Sequence, residues 1–176
     1  MRILVAVATR HGATREIAEH LATSLGSALT DVGAASEVEV RDVGLVRSLD
    51  GFDAVVLGSF VYLGQWLEPA REFAKTFSDD LWWLPVWLFS SCPVGEQHKP
   101  ADDPAAIDDL VRQLDARGHR MFGGKIDRQA LRVPERAVVT ASHVKDGGYR
   151  DWPSIRSWGY QIGATLAAAE LVGSTS

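Results

Sequence analysis

Apolar runs rich in β-branched residues alternate five times along this chain with segments whose apolar residues recur at helical spacing, and that alternation leaves few ways to fold. Strand, crossover helix and parallel strand form the repeating unit of an open α/β sheet with helices on both faces. Ile3–Ala8 is apolar throughout, as a strand buried on both sides must be. A helix from about Ala13 to Leu29 follows, with Ile17, Leu21, Leu25, Ala28 and Leu29 on one face.

The second strand differs from the others. Glu37-Val38-Glu39-Val40-Arg41 alternates polar and apolar, whereas Ala54–Leu57 and Val86–Phe89 are continuously apolar. The alternating strand belongs at an edge and the others inside, which predicts a five-stranded parallel sheet in the order 2-1-3-4-5 and excludes a barrel, where all strands would be equivalent. Between strands three and four, Ala70, Phe73, Ala74 and Phe77 mark a short helix with Pro69 in its first turn, ended by Ser78-Asp79-Asp80. Asp103 as N-cap and Pro104 open the next helix, which buries Ile107, Leu110, Val111 and Leu114 and stops at Gly118. Met121–Ile126 reads as the fifth strand, and Asp151 caps a last helix burying Ile155, Trp158, Ile162 and Leu166.

With 176 residues, 46% hydrophobic and 23% charged, the chain makes a single domain over 1–176 that needs no disulfide or metal to hold it. Cys92 is its one cysteine, which excludes an intrachain disulfide and a cysteine-rich metal site and suits a reducing, cytoplasmic setting. The apolar start is broken by Arg10-His11-Gly12 long before a signal peptide or membrane span is complete, so neither export nor an integral membrane segment is expected. A net charge of -5 argues against nucleic acid as a partner.

In open parallel sheets ligands bind outside the carboxyl ends of the strands, where the strand order reverses, here between strands one and three. The loop after strand one, Thr9-Arg10-His11-Gly12-Ala13-Thr14, runs straight into a helix. Helix-start amides and the helix dipole favour an anion there, a glycine lets the backbone come close, and Thr9 and Thr14 add hydroxyl donors, so the loop can cradle a phosphate. An ordinary capped turn would use the same residue types. The loop after strand three, Ser59-Phe60-Val61-Tyr62-Leu63-Gly64-Gln65-Trp66, is aromatic-rich where a sheet rim is normally small and polar. A flat ring with hydrogen-bonding edges, such as an isoalloxazine, would take stacking from Tyr62 or Trp66 and bonds from loop amides, although Phe60 and Trp66 can equally pack under the following helix. After strand four, Ser90-Ser91-Cys92-Pro93-Val94-Gly95 offers small residues along the ring's polar edge. Cys92 reads as a structural thiol, since the residue six positions on is His98 and not the arginine that a cysteine phosphatase requires.

Other chemistries lack their parts. The chain has no glycine-rich loop ending Gly-Lys-Ser/Thr, no Gly-x-Ser-x-Gly elbow, and no acidic residues after strand one to hold magnesium. His11, His98 and His143 lie far apart in sequence and read as surface histidines.

Thr9-Arg10-His11-Gly12-Ala13-Thr14-Arg15-Glu16-Ile17-Ala18 and Val55-Val56-Leu57-Gly58-Ser59 resemble the flavodoxin domain family, and within it the menaquinone-dependent protoporphyrinogen oxidase-like branch. That branch has a similar Thr-Arg-x-Gly-x-Thr-Arg-Glu loop, a Tyr-Gly-His-Tyr where this chain has Leu63-Gly64-Gln65-Trp66, and a final helix beginning like Asp151-Trp152. The resemblance spans nearly the whole chain and implies a flavodoxin-like three-layer sandwich binding FMN. Thr9, His11, Gly12, Ala13 and Thr14 would take the phosphate, with Arg10 in the same loop. The loops from Ser59 to Trp66 (Ser59, Phe60, Val61, Tyr62, Gly64 and Trp66) and from Ser90 to Gly95 (Ser90, Ser91, Cys92 and Gly95) would hold the ring.

The oxidases carry a longer basic and aromatic insertion after strand five. Here Lys125–Arg150 is shorter, with Tyr149 its one aromatic, and holds six basic residues against three acidic ones. That sign suits an acidic partner or porphyrin carboxylates, and an exposed segment of mixed charge would look the same. Two functions follow from these expectations: an FMN-dependent oxidoreductase acting on a small molecule such as a porphyrinogen or quinone, or an electron carrier docking to a redox partner protein. A flavin-free interaction module is the third.

Overall fold

The computed structural model describes residues 1–62, 64–92, 105–126, 147–148 and 150–173. In chain order the elements are β1 (Arg2–Ala8), α1 (Ala13–Asp31), β2 (Glu37–Asp42), a 3-10 turn (Val43–Leu45), β3 (Ala54–Tyr62), β4 (Gln65–Trp66), α2 (Glu68–Thr76), α3 (Ser78–Trp83), β5 (Val86–Cys92), α4 (Ala105–Gln113), β6 (Gly118–Gly123), β7 (Lys125–Ile126), β8 (Gly147–Gly148) and α5 (Trp152–Gly173). The five long strands are parallel and ordered β2-β1-β3-β5-β6, which is the predicted order 2-1-3-4-5 once short β4 is set aside as an antiparallel partner of β3. The architecture is the open parallel α/β sheet that the alternation of the sequence predicts, in the flavodoxin-like form that the resemblance implies.

Side chains of a strand point alternately to opposite faces, so each interior strand feeds two cores. Ile3, Val5 and Val7 of β1 join Ala54 and Val56, Trp87 and Phe89 against α1 and α5. Leu4, Ala6 and Ala8 join Val55, Leu57, Val86 and Leu88 against Ala70, Phe73 and Ala74 of α2, Leu81 of α3 and Ile107 of α4. Among the described residues β2 pairs with β1 alone and stays half-buried, the edge strand its alternating sequence demands.

Four boundaries differ from the sequence reading. β3 continues beyond Leu57 to Tyr62 and turns back through β4, because Phe60-Val61-Tyr62 are strand formers whose backbone finds partners in Gln65 and Trp66. Ser78-Asp79-Asp80 opens α3 where a helix end was expected: Asp79 and Asp80 fall in a first turn, where the helix dipole favours negative charge, and Leu81 is buried beneath them. Gly118 does not stop α4. That work falls to Asp115, at φ 46°, with the Ala116 amide bonded to the Val111 carbonyl at 2.9 Å, while Gly118 begins β6. The fifth long strand is therefore Gly118–Gly123, and Lys125–Ile126 belongs to a separate antiparallel ribbon with Gly147–Gly148. Asp103 and Pro104, expected to open α4, lie outside the described residues. Asp151 caps α5 as expected, its Oδ1 accepting from the Ser154 amide at 3.1 Å.

α1 and α5 pack in direct contact. A Cβ on Gly159 would lie 2.5 Å from the Leu21 carbonyl oxygen, and one on Gly163 2.5 Å from that of Leu25, so the two glycines, one turn apart, set the helix spacing. Between β1 and β2, Arg2 bonds Glu39 at 2.5 Å and Arg41 joins the same carboxylate; the hydrogen bond from Arg2 is the main cause holding the Glu39 carboxyl below its ordinary value of 4.5.

Two outcomes are expected. Gly163→Ala gains up to about 1 kcal/mol of helix propensity but drives a methyl into main chain, a strain of typically about 1–3 kcal/mol. Urea unfolding should show net destabilisation, and a neutral result would mean the helices can separate freely. Because the Glu39 carboxyl is lowered, its contribution is fully present above pH 4.5 and fades as pH falls further. Glu39→Gln should therefore melt below wild type at neutral pH and converge with it in acid.

Candidate functional site

Strand register decides what meets at the carboxyl ends. Ala8 lies beside Ser59, Ser59 beside Ser90, and Phe60 beside Ser91, so the segments after β1, β3 and β5 emerge side by side. The turn after β1 is built around Gly12, whose φ of 81° and ψ of -20° are left-handed and whose Cβ position faces open space. The Gly12 amide donates to Thr9 Oγ1 at 3.1 Å, and the first bond of α1 runs from the Glu16 amide to the Gly12 carbonyl at 3.0 Å. The amides of Ala13, Thr14 and Arg15 lie ahead of that bond, at the positive end of a 19-residue helix. Thr9 is half-buried, and Arg10 and His11 are exposed.

Among the described residues the buried polar side chains are Thr14, Ser59, Ser90 and Ser91. All four were sequence candidates, and all sit in or against these carboxyl-end segments. Burying a hydroxyl without a partner costs about 1–3 kcal/mol, and each of these has one. Thr14 Oγ1 and Ser91 Oγ are 2.7 Å apart. Ser59 Oγ accepts from the Leu67 amide and donates to the Phe60 carbonyl, both at 3.0 Å. The Trp66 indole N–H, which can only donate, reaches Ser90 Oγ at 2.8 Å, and His119 Nε2 lies 2.9 Å from the same oxygen.

Trp66 thus takes the packing role left open in the sequence: it is 3% exposed, inside the core that α2 covers. It also forms part of the wall of an open cavity of about 490 Å3 with Thr9, Arg10, Gln65, Leu67, Glu68, Pro69 and Arg71. This cavity unites the first two predicted segments. Phe60 is half-buried and Val61 buried; Gly64, at φ 75°, leads into β4. Ser90, Ser91 and Cys92 are buried in the sheet, and Cys92 Sγ lies 4.0 Å from the Phe122 carbonyl oxygen. The Tyr62 backbone ends β3 opposite Gln65. Gly95 lies outside the described residues.

Sequence reasoning misses His119, because Gly118-His119-Arg120 lacks the apolar pattern that marks a strand, and Arg71, whose place depends on how α2 lies. It also misses Arg150, which pairs with Glu16 in the first turn of α1 and lies 4.8 Å over the Trp152 ring, its Nε buried without a partner. Glu16 is the one acidic residue in that turn, and Arg150 neutralises it.

The sequence model of the family described as "Flavodoxin domain" matches residues 4–151, well over half of the chain. The chain belongs to the flavodoxin domain family. Flavodoxin structures share its fold. An archaeal flavodoxin superposes with a TM-score of 0.60 at 15% identity, covering 96% of this chain and 98% of its own. Flavodoxin 1 from Bacillus cereus gives 0.52 at 19% identity over 82% of this chain and 100% of its own. Rubredoxin oxygen:oxidoreductase from Desulfovibrio gigas gives 0.61 at 12% identity, with 97% of this chain matching 37% of that larger one. No curated protein matches the chain in sequence. No helix among the described residues is long and apolar enough to cross a membrane.

Ser90→Ala would strand the Trp66 N–H in a buried site, an expected loss of about 1–3 kcal/mol in urea unfolding. Adding Trp66→Phe should cost less than the sum of the two single changes. Strict additivity would show that the bond does not hold the indole.

Proposed function

We propose that this flavodoxin-family chain binds FMN at the carboxyl ends of β1, β3 and β5 and transfers electrons with it. The observation that carries the reading is the Thr9–Thr14 turn: three amides ahead of the first helical bond, a left-handed glycine facing open space, and an adjacent cavity of about 490 Å3. The residues fit the group. The amides of Ala13, Thr14 and Arg15 and the dipole of α1 suit a phosphate dianion. Arg150 removes the opposing charge of Glu16 from the same turn. The β3–β4 hairpin and Ser90–Cys92 offer backbone to the edge of a ring, and Tyr62 is the candidate to stack on it.

FMN supplies, when bound, redox chemistry in one- or two-electron steps; the protein's part is to bind, orient and tune it electrostatically. None of the described side chains is placed as an obvious acid or base. The finer reading, an oxidoreductase resembling the menaquinone-dependent protoporphyrinogen oxidases with a porphyrinogen or quinone as substrate, rests on the motif residues Thr9–Ala18, Leu63-Gly64-Gln65-Trp66 and Asp151-Trp152. The alternative is an electron carrier docking to a protein partner, which the acidic balance of the chain favours slightly.

Titration of the full chain with FMN, followed by flavin fluorescence quenching, tests the core of this. Wild type should bind, riboflavin should bind more weakly, and Gly12→Val should weaken FMN by tenfold or more, roughly the effect of the 1–3 kcal/mol needed to hold a β-branched residue at positive φ. Failure of wild type to bind would sink the redox reading. Turnover of protoporphyrinogen or a quinone by the loaded protein would favour the enzyme. Reduction of an added redox protein by the loaded chain after its flavin has been reduced with dithionite, without such turnover, would favour the carrier.

A further inference from the structure

We propose that the cleft between α2 and α4 is a second ligand site, for a flat apolar molecule bearing a carboxylate. The cleft is a cavity of about 370 Å3, within the range of roughly 300–1,000 Å3 usual for small-molecule sites. Its lining separates by chemistry. Trp66, Ala74 and Ile107 are core residues that form an apolar floor, and Leu110 packs beside them. Arg71 and Lys75, one turn apart on α2, stand at the rim. Both are exposed, and neither has an ion-pair partner among the described residues.

The carboxylate of the cleft does not cancel them. Asp109 lines the same cavity but is paired with Arg112 at 2.5 Å, so the charge left over is that of the two α2 cations. Exposed cations alone hold an anion weakly. An apolar body on the Trp66 and Leu110 side supplies the burial, and the carboxylate fixes its orientation against Arg71 and Lys75. Flatness follows from the surface offered at the rim, the exposed guanidinium plane of Arg71, which favours stacking on a ring. Trp66 and Arg71 also line the larger cavity described above, so the two cavities share these two residues and differ in the rest of their lining. The site does not depend on the flavin reading.

The test uses 2-naphthoate and its uncharged counterpart 2-naphthamide as probes, titrated calorimetrically into the full chain with and without saturating FMN. Naphthoate should bind about tenfold more tightly than naphthamide, the scale of one charge-assisted hydrogen bond. Arg71→Gln and Lys75→Gln should each reduce naphthoate binding several-fold, leave naphthamide unchanged and melt like wild type, since both side chains are exposed. Asp109→Asn should strengthen naphthoate, and Arg156→Gln, on α5 across the sheet, should not alter it. Absence of naphthoate binding at millimolar concentration, equal affinity for the two probes, or indifference to both α2 substitutions would overturn the site. Expulsion of naphthoate by FMN would also overturn it, by placing the probe in the larger cavity. A chain that ignores FMN yet keeps charge-dependent naphthoate binding would refute the flavin reading and leave this site standing.

Discussion

The burial of β1 on both faces is the constraint on which the rest of the structure depends. Ile3 to Val7 are fully buried, and their side chains alternate between the α1–α5 core and the α2–α3–α4 core. A strand held by hydrogen bonds to β2 and β3 and by apolar contacts above and below has no freedom to slide, because a one-residue slip would exchange every side chain between the cores. The turn at Thr9 to Gly12 inherits that fixity. The start of α1 is positioned by packing more than by anything in the loop itself.

The same burial explains why the fold was legible. Uninterrupted apolar runs at 3–8, 54–57 and 86–89 have the length and β-branched content of interior parallel strands, and the alternation at 37–41 that of an edge. The site was legible to the extent that it follows from the fold: the carboxyl ends of β1, β3 and β5 are where the register brings Thr9, Ser59, Phe60, Ser90 and Ser91 together. What escaped was contact between distant segments. Nothing in the local pattern around His119 or Arg150 says that one will meet Ser90 and the other Glu16, since those contacts arise only when strands and helices are assembled.

The misplaced boundaries share a cause. Ser78-Asp79-Asp80 and Gly118 carry residue types that serve either to end a helix or to begin the next element, and tertiary context decided: Leu81 had a core to fill, and Trp87 had a partner strand to meet at Gly118. The hairpin after β3 was hidden by its own aromatics, which read equally well as a rim waiting for a ring and as strand formers folding back on themselves.

The four buried hydroxyls beneath the site are bonded to one another or to the protein around them: Thr14 with Ser91, Ser59 with its neighbouring main chain, Ser90 with Trp66 and His119. They form a finished floor. A ligand above that floor would find these four hydroxyls already engaged and would have to use the peptide groups of the turn, which every residue but proline presents alike. A binding surface written in main chain is preserved as long as the trace of the chain is, and is largely blind to the identity of side chains. Chains only 12–19% identical to this one keep its shape.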